Sequence, residues 1–268
     1  MPLDNSPFFQ MIELGTTGST NDFLRDYRPP RQPEMTLVSA DYQTAGRGQT
    51  GNSWEAAPGQ NLLFSILVHP TFLHADSVFA ISEAMALAIR EALEGQLTGA
   101  PPTAGTAAAS PAVSVKWPND IYVGGSKIAG ILIENEFCGT HLARSIIGCG
   151  INVNQSAFAF PALPATPTPA PPTSLALLTG STHERSLVLD AVVTAFRRRY
   201  ALLQGGRKGE LHAEYHRHLY RREGMHPFVD AQGPFRASIS HVEPSGHIVL
   251  SDEDHRLRRY MFKQVAFA

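Results

Sequence analysis

Gly46-Arg-Gly-Gln-Thr-Gly51 matches the pattern G-x-G-x-x-G, and the fold turns on how this stretch is read. In a dinucleotide-binding domain such a loop runs directly into a helix, whose N-terminus holds a pyrophosphate. Here the chain continues through Trp54, Pro58 and Gly59 into Asn61-Leu-Leu-Phe-Ser-Ile-Leu-Val-His69, an apolar run of strand length. Pro58 and Gly59 stop any helix between the two. A nicotinamide-dependent oxidoreductase is therefore argued against. No H-R-D or D-F-G follows, which removes a protein kinase, and no G-x-x-x-x-G-K-S/T marks a P-loop. What remains is a glycine loop between strands. Its backbone N–H groups can cradle an anion, Arg47 adds a bidentate fork, and Trp54 offers a flat stacking face. A plain connecting loop with a surface arginine and a half-buried tryptophan accounts for the same residues.

Outward from the loop the chain alternates. Thr36–Asp41 and Asn61–His69 read as strands. Ala75–Glu94 carries Val78, Ile81, Met85, Ala88 and Ala92 at helical spacing, with Gly95 as its C-cap. Val113–Trp117, Ile121–Val123, Lys127–Phe137 and Ala143–Gly148 read as strands, with a hairpin at Gly124-Gly125. Ser181-Thr-His-Glu184 reads as a capping box opening a helix to about Tyr200, and Leu211–Tyr220 as another helix. After Arg222 the pattern changes to short strands: Pro227–Asp230, Phe235–Val242, His247–Ser251 and one near Arg258–Val265. The expectation is an α/β domain over residues 1–221 with a small β-barrel over 222–268. Residues 98–112 are built of Ala, Pro, Thr, Gly and Ser, and residues 158–173 hold six prolines, so both read as surface loops.

Composition narrows the class. The 268 residues are 43% hydrophobic and 17% charged, enough for a sizeable core and not the composition of a disordered chain. Net charge is −2, which argues against a global nucleic-acid binder. Two cysteines, Cys138 and Cys149, make neither a disulfide scaffold nor a four-cysteine zinc site. There is no secretory signal pattern and no run of membrane-helix length, so the expected place is the cytoplasm.

A second chemical cluster is Lys116-Trp-Pro-Asn-Asp120, followed by Lys127 at the head of the apolar run Ile-Ala-Gly-Ile-Leu-Ile-Glu134. Two lysines and an aspartate this close suit an anionic, Mg²⁺-bearing substrate; an ordinary hairpin with charged ends is the alternative. Gly130 inside a strand signals close approach by a ligand or another chain segment. Ser19-Thr20-Asn21 with Asp22 has the pattern of a capping box, and a helix start also presents donors to a polar ligand. Gly148-Cys-Gly-Ile-Asn152 ends an apolar strand, where glycines leave room and Asn152 can read a ring. Cys149 reads as a small buried residue rather than a nucleophile. His212, His216 and His218 form a histidine cluster in which His212 and His216 stand i,i+4 on a helix, but no convincing third metal ligand appears, so they read as structural or exposed.

Each motif is weak alone, but their order and spacing together resemble the biotin protein ligases (biotin–acetyl-CoA-carboxylase ligases). The resemblance is carried by Ser19-Thr-Asn21, Gln43-Thr-Ala-Gly-Arg-Gly48, Trp54, Asn61-Leu-Leu-Phe-Ser65, Lys116-Trp-Pro-Asn-Asp120, Lys127 to Glu134 and Gly148-x-Gly-Ile-Asn152. It implies a catalytic domain like that of class II aminoacyl-tRNA synthetases and an SH3-like C-terminal barrel. It implies ATP-dependent activation of biotin as biotinyl-5′-AMP, then transfer to a lysine of a biotin carboxyl carrier protein.

The residue roles implied by the resemblance are these. Lys127, Arg47 and Asp120 are catalytic, with Asp120 either holding Mg²⁺ or acting as base. Ser19, Thr20, Asn21, Gln43, Gly46, Arg47, Gly48, Gln49, Lys127 and Gly130 bind biotin. Arg47, Gln49, Trp54, Lys116, Asn119 and Asn152 bind ATP. No membrane is expected as a partner, and a homodimer is the oligomer considered. Relatives with a DNA-binding segment carry it before the serine-threonine-asparagine motif, and the eighteen residues here are too few for it, so no DNA is expected as a partner. A lipoate or octanoate ligase or transferase of the same fold is the alternative. One departure stands out: Gln49, Thr50 and Asn52 occupy positions where many relatives have arginine.

Overall fold

The computed structural model describes residues 9–31, 33–49, 52–98, 112–158 and 171–268. Thr50, Gly51 and most of the expected loops at 98–112 and 158–173 lie outside the described residues. The chain forms β1 (Phe9–Thr17), α1 (Thr20–Asp26), β2 (Met35–Gln43), β3 (Leu62–Val68), α2 (Phe79–Leu97), β4 (Val113–Lys116), β5 (Asp120–Val123), β6 (Ser126–Cys138) and β7 (His141–Ile151). Helices α3 (Leu175–Thr179), α4 (Arg185–Gln204) and α5 (Lys208–Arg217) follow. The strands β8 (His226–Asp230), β9 (Gly233–Val242), β10 (Ile248–Asp252), β11 (Leu257–Tyr260) and β12 (Val265–Phe267) close the chain.

A seven-stranded sheet runs in the order β1-β2-β3-β7-β6-β5-β4, antiparallel throughout except for the parallel β1–β2 pair. The apolar run Leu62–Val68 becomes the buried centre of this sheet because both faces are covered. On one face Leu37, Phe64, Ile66 and Ile147 join the main core with α2 and α4. On the other, Val38, Leu67 and Ile146 hold Leu24 of α1 in a smaller cluster. Side-chain alternation along each strand thus fixes which residues look toward α1. The second sheet, β11-β10-β9-β8-β12, is antiparallel. It is tied to the first by the Trp117 indole, which donates to Gly246 O at 2.9 Å, and by Phe262 against Phe79 and Trp117.

Several expectations need correction. β1 was not foreseen. Ser19 sits at the N-cap position of α1 without a side-chain cap bond, and the Thr20 amide, another donor of the first turn, goes to the Gln43 side chain. The Ser181 capping box does not form: α4 starts at Arg185, and the His183 amide donates to Asn154 Oδ1 at 2.8 Å. Gly95 does not end α2, which continues to Leu97 and closes with Thr98 bonding Glu94 O. The last expected strand is two, β11 and β12, separated by a turn in which the Met261 and Gln264 amides are satisfied locally.

The histidines of α5 are structural. His212 Nδ1 lies 2.6 Å from Glu83 of α2, a buried carboxylate, and His216 Nε2 accepts from the Val242 amide of β9 at 2.9 Å. Burial and the neighbouring His212 push His216 down to about 4 from 6.5. Between those two values the unfolded chain binds a proton that the folded chain refuses, so this group withdraws stability as pH falls through the window. His216→Gln can still accept from Val242 and does not titrate. The stability advantage of wild type over His216→Gln, measured by urea unfolding, is therefore expected to shrink from pH 6.5 to pH 4. A difference that stays flat would show that the imidazole is not kept neutral.

Candidate active site

The site begins as an unfilled patch on the α1 side of the sheet. Gly130 of β6 is the register partner of Gly150 of β7, and Gly148 of β7 pairs with Ser65 of β3 and Leu132 of β6. A Cβ at Gly148 would stand 2.2 Å from Asn21 Oδ1, and one at Gly150 would stand 2.3 Å from Trp54 Cε2. Asn21 and the Trp54 indole thus lie in the space these side chains would fill. Above them is a cavity of about 120 Å³.

Of the residues expected at the site, the structure gathers Ser19, Thr20, Asn21, Gln43, Arg47, Gly48, Gln49, Trp54, Asn119, Asp120, Lys127 and Gly130 around this one cavity. Three do not line it. Gly46 lies beneath the loop, where a Cβ would come within 2.4 Å of Trp54 O. Lys116 donates to Tyr122 Oη at 3.1 Å and lies over the rings of Tyr122 and Phe267, where burial lowers its pKa. Asn152 braces the chain: its amide nitrogen donates to Thr173 O and its backbone N–H to Ile128 O.

The neutral end of the cavity is α1 with Gln43. The Thr20 amide donates to Gln43 Oε1 at 2.7 Å, and Asn21 Nδ2 donates to Glu134 Oε2 at 2.8 Å. The charged end holds two cations, both paired. Lys127 Nζ is 2.7 Å from Asp120 Oδ1 and 5.6 Å from the centre of the Trp54 ring. Arg47 Nη2 is 2.9 Å from both Asp22 Oδ1 and Glu134 Oε2, and Arg25 bridges the same two carboxylates. Burial raises the Glu134 pKa, but the hydrogen bonds from Asn21, Arg47 and Arg25 outweigh it and hold the carboxyl below its ordinary value. Exposed pairs of this kind are worth about 0–1 kcal/mol, so an incoming anion can replace a carboxylate on Arg47 at little cost.

Glu134, Arg25 and Asp22 received no site role from the sequence, yet they form the ion-pair cluster around Arg47. The signal for Glu134 was present: alternation along β6 sets it on the face of Gly130 and Leu132. Cys149 lines the cavity, but burial raises its thiol pKa, which leaves no thiolate nucleophile. Asp120 is committed to Lys127, and no group of three His, Cys, Asp or Glu among the described residues is placed to hold a metal. The donor set does not make a protein-borne cation site. No described helix is long and apolar enough to cross a membrane.

The Trp54 Nε1 donor is buried with no partner among the described residues, a cost of about 1–3 kcal/mol that a ligand acceptor can relieve. Gly150→Ala is expected to push the indole off β7 and shift Trp54 fluorescence to the red, while buried Trp117 stays unchanged. Emission identical to wild type in the folded variant would show that the ring does not rest on Gly150.

Residues 15–152 match the Biotin/lipoate A/B protein ligase family. The bifunctional ligase/repressor BirA of Bacillus spizizenii is 33% identical over 190 residues, which cover 71% of this chain and 53% of that protein. The biotin–acetyl-CoA-carboxylase ligase of Paracoccus denitrificans is 32% identical over 71% of this chain and 72% of its own. The chain thus spans about half the length of the Bacillus relative and most of the Paracoccus one. Biotin protein ligase from Aquifex aeolicus, solved in complex with biotin and ATP, superposes with a TM-score of 0.73 at 22% identity over 97% of this chain and 98% of its own, which is a likeness of fold. The same motifs that line the cavity lie within the matched segment, and the chain belongs to the biotin/lipoate A/B protein ligase family.

Proposed function

We propose that this chain is a biotin–acetyl-CoA-carboxylase ligase. It activates biotin with ATP to biotinyl-5′-AMP and pyrophosphate, then transfers the biotinyl group to a lysine of a biotin carboxyl carrier protein. The observation that carries this is a single cavity with amides and hydroxyls at one end and two exchangeable cations at the other. A ureido ring needs neutral donors and acceptors, which Ser19, Thr20, Asn21 and Gln43 supply; a dithiolane ring would leave them unpaired. The division into residues 1–221 as a catalytic domain like that of class II aminoacyl-tRNA synthetases and 222–268 as an SH3-like barrel belongs to the same reading.

The first step joins two anions, the biotin carboxylate and the α-phosphate. Its barrier falls through alignment and through cations aimed at the developing charge. Lys127 leaves Asp120 for the carboxylate and the bridging oxygen, and Arg47 leaves Glu134 for the phosphate. Asp120, released from its pair, is then placed to accept a proton from the acceptor lysine, whose neutral amine attacks the mixed anhydride and expels AMP. Trp54 and Asn119 face the nucleotide. Mg²⁺ enters with ATP as part of the substrate, and no step is assigned to it.

Lys127→Ala is expected to lower biotin-dependent exchange of pyrophosphate into ATP by about 10²-fold or more, the usual loss when one charge-stabilising donor is removed. The strand should persist, because a half-exposed lysine contributes charge more than packing. Near-wild-type exchange in the folded variant would remove Lys127 from catalysis. Exchange driven by lipoate and not by biotin would overturn the proposed substrate.

A further inference from the structure

One cation beside the charged end has no part in the steps above. Arg25 stands on the last turn of α1 and does not line the cavity, yet it reaches both carboxylates that hold Arg47. The two guanidinium groups meet at one atom: Asp22 Oδ1 receives Arg25 Nη1 at 2.5 Å and Arg47 Nη2 at 2.9 Å. They divide Glu134 between them. Its Oε1 receives Arg25 Nη2 at 2.6 Å, and its Oε2 receives Arg47 Nη2 at 2.9 Å and Asn21 Nδ2 at 2.8 Å. Two arginines and two carboxylates cancel in formal charge, and all four side chains are half-buried.

The proposed reaction draws Arg47 away to the α-phosphate. Asp22 then keeps Arg25, and Glu134 keeps Arg25 and Asn21, so neither carboxylate loses its last partner. Without Arg25, the same departure would strip Asp22 of both its arginines and leave Glu134 with one neutral donor. Both carboxylates would then pull on Arg47 alone, and their uncancelled charge would repel the incoming phosphate. Lys127 is paired differently. Among the described residues Asp120 makes one ion pair, with Lys127 at 2.7 Å, so the departure of Lys127 frees a base. The departure of Arg47 frees nothing, because Arg25 stays behind.

We propose that Arg25 is a positioning residue for the nucleotide: by sharing Asp22 and Glu134 with Arg47, it keeps Arg47 exchangeable, so that the α-phosphate of ATP can draw it off. This rests on the ligase reading above. A group held in a competing pair serves its ligand only in the fraction of molecules where it is free, so a tighter hold on Arg47 weakens apparent ATP binding in proportion. Pairs this exposed are weak, which bounds the effect of one pair at about fivefold. Arg47 is drawn off once, as ATP binds, so the cost falls on KM for ATP and not on kcat.

The test is biotin-dependent pyrophosphate exchange, with KM for ATP and KM for biotin measured separately in wild type, Arg25→Gln, Asp22→Asn and the double variant. Arg25→Gln is expected to raise KM for ATP about fivefold, with KM for biotin and kcat within about twofold of wild type. The biotin arm guards against a merely structural effect: α1 also carries Thr20 and Asn21, so a loosened helix would raise KM for biotin. Asp22→Asn takes one carboxylate off Arg47 and is expected to lower KM for ATP about threefold. In that background the contest for Asp22 Oδ1 is gone, so adding Arg25→Gln is expected to cost no more than about twofold. A cost that stays fivefold there would mean that Arg25 meets the phosphate itself, and would overturn its action through Arg47. An unchanged KM for ATP in Arg25→Gln, or a loss confined to kcat or to biotin, would overturn it too. If Arg25→Gln does not fold, Asp22→Asn decides: a KM for ATP that does not fall would count against the proposal while leaving the ligase intact. No exchange with biotin by wild type would overturn the ligase reading and this inference with it.

Discussion

A sheet covered on both faces has to fill both, and β3, β6 and β7 leave one patch of this sheet unfilled at Gly130, Gly148 and Gly150. The cavity and the polar residues that line it are arranged around those missing side chains. Asn21 and Trp54 enter the space from α1 and the glycine loop, and a methyl group at Gly148 or Gly150 would overlap them. Asn21 reaches it because Leu24 is packed against Val38, Leu67 and Ile146, which docks α1 on that face. The small apolar cluster thus contributes little area to the core but sets the position of the polar end of the cavity.

The charged end is governed by neutralisation. Arg47 and Arg25 face Asp22 and Glu134, and Lys127 faces Asp120, so the formal charges cancel before any ligand arrives. A bare pair of cations here would repel each other and scatter; pairing holds their side chains at the cavity rim. Because the Arg47 pairs are partly exposed, each is worth about 0–1 kcal/mol, and an anion can displace a carboxylate there without a large penalty. The bonds of Ser65 to Thr20 and Asn21 behave differently. They are buried, so each unpaired group would carry its full desolvation cost, and that makes the neutral end rigid where the charged end exchanges.

What could be read from the sequence follows the same physics. The central strands were legible because burial on both faces leaves apolar runs such as Leu62–Val68. β1 was not, because it lies at the sheet edge with one neighbour, and Glu13, Gly15, Thr16 and Thr17 dilute its alternation. Neither capping box forms as a contact: Ser19 makes no side-chain cap bond, and the His183 amide that Ser181 would have capped goes to Asn154 instead. The cavity residues were legible as motifs. Lys116 and Asn152 belong to those motifs but point away from the cavity. Lys116 meets Phe267 of the second sheet, a contact between residues too distant in the chain for any local pattern to reveal. Ser65 was hidden for the opposite reason: its partners lie on α1, and a single serine in an apolar run carries no periodic signal.

The glycine loop holds its shape with a single charged side chain, Arg47, among residues 46–52. Trp54 N donates to Gly46 O at 3.0 Å, Gly48 N to Asn52 O at 2.9 Å and Asn52 N to Gln49 O at 2.8 Å, so the loop is closed by its own backbone. None of these bonds uses a charged side chain. Loop geometry therefore rests on no ion pair that salt could screen, and in the ligase proposed above the salt-sensitive part of anion binding falls to Arg47 and Lys127. Gln49 also borders a neighbouring cavity of about 500 Å³ walled by Phe79, Ile133 and Phe262. A guanidinium at that boundary would face apolar rings on one side and would be partly desolvated, whereas a neutral amide sits between the two cavities at a smaller desolvation cost. A neutral residue at position 49 thus fits the apolar wall beside it, and in the ligase proposed above the anion meets two cations, Arg47 and Lys127.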